Sequence, residues 1–216
     1  MPKLHIVIAS TRPIRTGAPV GVWAAEQARQ HGGFDVEVVD LKDVGLPLLD
    51  EPSHPRERRY EHEHTLRWSE TVQRADAFVL VLPEYNGGPP ASLVNALSYL
   101  YHEWLYKPVG FVSYGGVSGG LRSVQTLKQI LSSLKMVPMA ESVVVPFVAT
   151  QIEEGAFRPV PELEIAAQTM LGELRRWSDA LATLREPREE PAIRNGASAR
   201  GPMSRPTGQP STAGPR

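Results

Sequence analysis

The chain contains no cysteine. Disulfides, iron–sulfur clusters, thiolate zinc sites and a cysteine nucleophile are therefore excluded. Any redox chemistry must come from a bound cofactor. Long apolar runs are missing too. The stretch Leu4–Ala9 is too short for the apolar core of a secretory signal, and no segment approaches the ~20 apolar residues a membrane-spanning helix needs. These absences predict a soluble, cytoplasmic protein that does not engage a membrane. There is no surplus of positive charge either. The 23 Lys and Arg stand against 24 Asp and Glu, for a formal net charge of -1, which argues against general nucleic-acid binding. The sequence has no Walker A motif, no G-x-G-x-x-G dinucleotide fingerprint and no G-x-S-x-G hydrolase elbow.

Proline, by contrast, is abundant. Twenty occur in 216 residues, about twice the usual ~5%. Six of them fall in residues 185–216, together with four glycines, six arginines, three glutamates and no aromatic residue. That segment has too little apolar surface to offset the entropy of ordering, so it is predicted to be a disordered tail. It suits either a weak electrostatic arm or a solvated end without function. Residues 1–184 are the expected folded domain, because 41% apolar residues overall can bury a sizeable core.

Within that domain strands and helices alternate. Leu4–Ala9 is a β-branched run that reads as a buried strand. Pro19–His31 carries helical spacing and stops at Gly32-Gly33. Phe34–Leu41 is a second strand, followed by a Pro-rich, charged connector, Leu46–Arg59, and a helix over Tyr60–Arg74. Ala77–Leu82, apolar on both faces, is the clearest central strand. A helix over Ser92–Trp104, a strand over Val109–Ser113, a helix over Leu121–Leu134, a strand over Ala140–Val145 and a last helix over Glu162–Leu184 complete the pattern. Alternation of this kind implies an α/β fold with a five-stranded parallel sheet between two helical layers. The length suits the doubly wound, flavodoxin-like order 2-1-3-4-5.

Ligands of such sheets bind at the carboxyl ends of the strands, where strand order reverses. Three loops lie there. The first, Ala9-Ser10-Thr11-Arg12-Pro13-Ile14-Arg15-Thr16-Gly17, runs from a strand into a helix N-terminus, where free N–H groups favour an anion. Its hydroxyls and arginines suit a phosphate, although an ordinary capped loop would also carry them. The second, Pro83-Glu84-Tyr85-Asn86-Gly87-Gly88-Pro89-Pro90, offers an aromatic face and an amide to a planar heterocycle, or else is a rigid turn. The third, Ser113-Tyr114-Gly115-Gly116-Val117-Ser118-Gly119-Gly120, has four glycines in six residues. Close approach of backbone N–H groups to a ligand would explain them, and so would a mobile loop.

Pro83-Glu84-Tyr85-Asn86, followed by Ser92-Leu93-Val94-Asn95-Ala96-Leu97, resembles the P-E-Y-N…N-A-L signature of the NADPH-dependent FMN reductase family, which includes chromate- and quinone-reducing members. Ser10-Thr11-Arg12 is similar to that family's phosphate loop, and Ser113–Gly120 to its glycine loop. The likeness extends over roughly residues 3–145. It implies a flavodoxin-like fold holding FMN, with NADPH or NADH as electron donor. Carried over by position, Ser10 and Arg12 would hold the phosphate, with Arg15 and Thr16 as weaker additions. Pro83, Glu84, Tyr85, Asn86 and Gly87 would line the isoalloxazine, largely through backbone atoms, and Ser113, Gly115 and Gly116 would lie by its pyrimidine side. No catalytic side chain and no metal are implied. A small-molecule acceptor would take the electrons by a ping-pong mechanism, in a homodimer or a tetramer built from dimers. Three departures stand out: Ala9 where the family usually has glycine, Gly88-Pro89-Pro90 for a single proline, and the added tail.

His62 and His64 invite a metal reading, but two positions apart on a helix they would point ~200° from one another. A solvated, charged helix start is the expectation. Tyr99, Tyr101, Trp104 and Tyr106 suit helix or interface packing. Two other functions fit the same fold: an electron carrier without nicotinamide turnover, and an assembly or regulatory protein that has lost its cofactor. Against the carrier stand the Ser-Thr-Arg loop and the near-neutral charge, where flavodoxins have a T-x-T-G-x-T loop and an acidic surface.

Overall fold

The computed structural model describes residues 1–185. The predicted disordered tail lies outside them, apart from Arg185, which instead closes the last helix. Five parallel strands, β1 (Lys3–Ile8), β2 (Asp35–Asp40), β3 (Ala77–Pro83), β4 (Pro108–Tyr114) and β5 (Val137–Val145), form one sheet in the order β2-β1-β3-β4-β5. The expected doubly wound order is therefore present. The central strand β3 is buried throughout, and alternate residues serve opposite faces. Val79 and Val81 join Leu4 and Ile6 against helix α1 (Gly17–His31) and helix α6 (Pro161–Arg185). Phe78, Leu80 and Leu82 face α3 (Glu63–Arg74), α4 (Ala91–Ser98) and α5 (Leu121–Ser133).

The elements differ from the sequence reading mainly at their ends. The helix expected over Ser92–Trp104 stops at Ser98 and resumes as a single 3-10 turn, His102–Trp104. The break has partners. The Trp104 indole donates to the carbonyl of Leu97 at 3.2 Å, and the Tyr99 hydroxyl donates to Asp50 at 2.9 Å. The helix over Tyr60–Arg74 starts only at Glu63, since Glu51 captures the N–H groups of Glu61 and His62 at 2.9 and 3.0 Å. His62 is thus extended rather than helical, and its ring stacks on that of His64, with centroids 5.2 Å apart. The expected divergence of the two rings is corrected accordingly. Two small elements had no periodicity to announce them. These are α2 (Leu41–Val44) and a hairpin of β6 (Ile152–Glu153) and β7 (Ala156–Phe157). The Pro-rich connector is pinned along α4: Asn95 donates to the carbonyl of Pro47 at 2.6 Å and accepts from the N–H of Leu49 at 3.0 Å. No helix among the described residues is long and apolar enough to cross a membrane.

Candidate functional site

The parallel register sets the floor of the site. Ile8 is level with Asp40 on one side and Val81 on the other, and Pro83 is level with Tyr114. The three loops predicted to carry chemistry therefore leave the sheet side by side, above the gap between β1 and β3.

In the first loop Ser10 is fully buried, and its hydroxyl lies 2.7 Å from the Tyr85 hydroxyl of the second loop. Arg12 is exposed. Thr16 precedes α1 in a helical conformation, without a side-chain cap and with no acidic residue in the first turn. The first amides of α1 are thus left for an external partner. Arg15 folds back onto the Asp40 carboxylate at the end of β2, and its side chain is 10% exposed. That pairing uses one nitrogen. Nε and Nη1 of Arg15 are buried without a partner, and so is the hydroxyl of Tyr114. The Tyr114 hydroxyl sits over the start of α1, so close that a Cβ on Gly17 would come within 2.4 Å of it. Burial and the neighbouring Tyr85 push this phenol above its ordinary value, so it stays a protonated donor. Each buried, unpaired donor costs about 1–3 kcal/mol. An oxyanion at the start of α1 would recover that cost from several donors at once.

The second loop is a tight hairpin turn. Tyr85 and Gly88 exchange both backbone hydrogen bonds, at 2.9 and 3.0 Å. The two residues between them have positive φ, 51° at Asn86 and 80° at Gly87. That is the geometry of a type I′ turn, for which Asn-Gly is a favoured pair. Asn86 is at the exposed tip. The Glu84 side chain turns to the third loop and α5, accepting from Ser118 at 2.8 Å and from Arg122 Nε at 2.6 Å. Burial opposes ionisation of Glu84, but the Arg122 and Ser118 contacts outweigh it and hold the carboxyl below the usual value.

The third loop is constrained rather than mobile. A Cβ on Gly119 would meet Val144 at 2.5 Å, and one on Gly120 would meet the Tyr114 N at 2.8 Å; both residues have positive φ. Gly116 has open space where a side chain would be, leaving its backbone accessible. Ser113 is fully buried and donates to the carbonyl of Gly119 at 2.8 Å. Ser92 donates to the carbonyl of Ala9 at 2.6 Å, and Ser123 to that of Pro83 at 2.9 Å. One serine thus fastens each loop. Ser10, Arg15, Tyr85 and Tyr114 form a polar knot, with Thr16 at the head of α1; Glu84 and Asn86–Gly87 make the adjoining wall. Ser113 supports from beneath. A cavity of about 310 Å³ adjoins the first loop, lined by residues including Thr11, Lys42, Ser92 and Asn95. No cluster of three or more His, Asp or Glu suited to a metal occurs among the described residues.

Residues 2–150 match the family model for NADPH-dependent FMN reductase. The chain belongs to that family. An NAD(P)H-dependent FMN reductase of Schizosaccharomyces pombe is 39% identical over 179 residues, covering 81% of this chain and 86% of the relative. An NADPH azoreductase of a Bacillus species is 28% identical, covering 61% of this chain and 70% of the relative. Among solved structures, the flavoenzyme NAD(P)H:(acceptor) oxidoreductase FerB of Paracoccus denitrificans superposes with a TM-score of 0.65 over 83% of this chain and 98% of its own, at 20% identity. That superposition supports the flavodoxin-like fold. As a member of the NADPH-dependent FMN reductase family, the chain is an enzyme whose cofactor is FMN and whose donor is NAD(P)H. The buried, unpaired donors at the start of α1 fit the phosphate of FMN.

The sequence reading passed over Tyr114 and Asp40. Tyr114 had a signal, being the aromatic residue between Ser113 and the glycines. Asp40 had none, because its partner Arg15 is 25 residues away on another element.

Proposed function

We propose that the chain is an NAD(P)H:FMN oxidoreductase that passes electrons on to free flavin, a quinone, an azo compound or a similar small acceptor. The observation that carries this reading is the convergence of unpaired Arg15 and Tyr114 donors with Ser10 and the free amides of α1, next to the turn formed by Tyr85 to Gly88. Ser10, Arg12, Arg15 and Thr16 would hold the phosphate of FMN. The backbone of Pro83–Gly87 would form one wall for its ring, and the N–H of Gly116 would face its polar edge beside Gly115, whose own N–H is held by the carbonyl of Val145 at 3.2 Å.

Bound FMN supplies the hydride chemistry. The protein's share is positional and electrostatic. The backbone N–H groups that the second and third loops leave free, at Asn86, Gly87 and Gly116, are fixed before the ligand arrives and would stabilise negative charge on the ring without reorganising. The exposed tip at Asn86–Gly87 and the open space at Gly116 leave the outer side free for the nicotinamide and then for the acceptor. Use of one open side in turn produces ping-pong kinetics. We also propose a homodimer, supported by the exposed Leu48 and Leu49 on the connector beside α4.

The test is optical. Purified protein should be yellow, or become so with FMN, and should bleach with NADPH under nitrogen. Yellow protein that neither NADPH nor NADH bleaches would indicate an electron carrier instead. Protein that cannot be loaded with FMN would overturn the assignment. Reciprocal plots that intersect rather than run parallel would remove the ping-pong step, and light scattering at the mass of one chain would remove the dimer.

A further inference from the structure

We propose that Asp40 is a positioning residue for flavin phosphate recognition, acting through Arg15 and setting the preference for FMN over riboflavin. This rests on the flavin site proposed above and adds a residue to it.

Asp40 is the last residue of β2 and is level with Ile8, directly beneath the first loop. Its carboxylate has two tasks. Oδ1 accepts the N–H of Lys42 at 2.9 Å and so caps α2. Oδ2 holds Nη2 of Arg15. Both side chains are largely buried, at 15% exposure for Asp40 and 10% for Arg15. A buried guanidinium has few routes to a defined orientation. Asp40 supplies one, and it does so while leaving Nε and Nη1 of Arg15 unpaired. The pair as a whole is neutral. A phosphate taking the two free nitrogens therefore meets an arginine already oriented and already desolvated, so the ordering cost is not met at binding. Arg12, exposed in the same loop, has no such support. The unpaired Tyr114 hydroxyl gives the same place a neutral donor.

Asp40 could instead compete with phosphate for Arg15. The two roles predict opposite signs. If Asp40 orients Arg15, its replacement weakens FMN binding. If Asp40 competes, its replacement strengthens it.

The helix cap allows a clean substitution. Asp40→Ser keeps a residue that caps helices well but is too short to reach Arg15. Asp40→Asn keeps cap and shape and removes the charge. The dissociation constants of FMN and riboflavin would be measured by fluorescence quenching on full-length apoprotein, for the unaltered chain, both variants, Arg15→Met and the double variant Asp40→Asn/Arg15→Met. We expect both Asp40 variants to bind FMN about tenfold more weakly, the equivalent of one charge-assisted hydrogen bond, with riboflavin affinity unchanged. The double variant should match Arg15→Met alone, since Asp40 acts only through Arg15. Equal losses for FMN and riboflavin would assign Asp40 a purely structural role and overturn the proposal. So would tighter FMN binding, an unchanged FMN-to-riboflavin ratio, or additive effects in the double variant. An unaltered chain that binds neither flavin would remove the flavin site itself.

Discussion

Two clusters of buried polar groups, one at each end of the sheet, are satisfied in different ways. At the amino end Lys107 is buried, yet its ammonium donates to the carbonyls of Val72 and Gln73 at 2.8 and 3.2 Å, closing the C-terminus of α3. Asp76 there accepts the N–H of Lys3 at 2.8 Å and a guanidinium N–H of Arg185 at 3.3 Å. At the carboxyl end Arg15 and Tyr114 are also buried, but their remaining donors have no partner. Lys107 and Asp76 have their partners within the chain, whereas Arg15 and Tyr114 keep donors in reserve beside the ligand loops; an unpartnered atom also occurs at the amino end, at His5 Nε2 on β1. Neither burial of charge nor one missing partner marks a site; the convergence of several unpaired donors beside the loops at the strand ends is the more informative observation.

The largest expected disturbance of this contrast is Gly120→Ala. It would force a side chain into a positive-φ position and against the backbone of Tyr114. Urea unfolding should report a loss of about 3 kcal/mol, with flavin binding lost alongside. Arg12→Ala comes next and touches only the carboxyl end. FMN affinity should drop by about 2 kcal/mol, one charged hydrogen bond, with the melting temperature of the apoprotein unchanged. Unaltered affinity would remove Arg12 from the site.

A smaller effect belongs to the amino end. Burial, with a further push from Arg185, lowers Lys107 to about 7 from an ordinary 10.5. Between those values the unfolded chain holds a proton that the folded chain has released, so stability should rise with pH across that window. Lys107→Met should flatten the rise, which is at most about 1.4 kcal/mol for each pH unit crossed within that window. Chemical denaturation at a series of pH values reads it directly, and FMN affinity should not follow. The smallest effect is expected from Asn86→Gly. Both residues accept positive φ, so stability should change by less than ~0.5 kcal/mol and FMN affinity hardly at all if the second loop acts through its backbone. A marked loss of affinity would show that the Asn86 amide itself touches the flavin.

Much of this contrast was legible in the residue order, but unevenly. The strand-and-helix alternation implies the sheet order because few connections satisfy it. The Pro83–Asn86 and Ser10–Arg12 motifs point to the candidate site because short loops bring their chemistry with them. The type I′ turn is present in the sequence as the dipeptide Asn86-Gly87, whose value lies in its backbone rather than in the Asn86 amide. The Arg15–Asp40 pair was invisible, since the two residues meet only once β1 and β2 are side by side. The early end of α4 was hidden for the same reason: the partners that break it, Asp50 above all, come from the connector.

Three serine hydroxyls, on Ser92, Ser113 and Ser123, tie the three loops to backbone carbonyls. Their consequence is kinetic. A mould already set when the chain folds admits its ligand without a slow closing phase. Flavin capture by the apoprotein should therefore be a single exponential whose rate climbs linearly with flavin concentration. Loss of the flavin should leave a cast of the same shape, ready to be refilled.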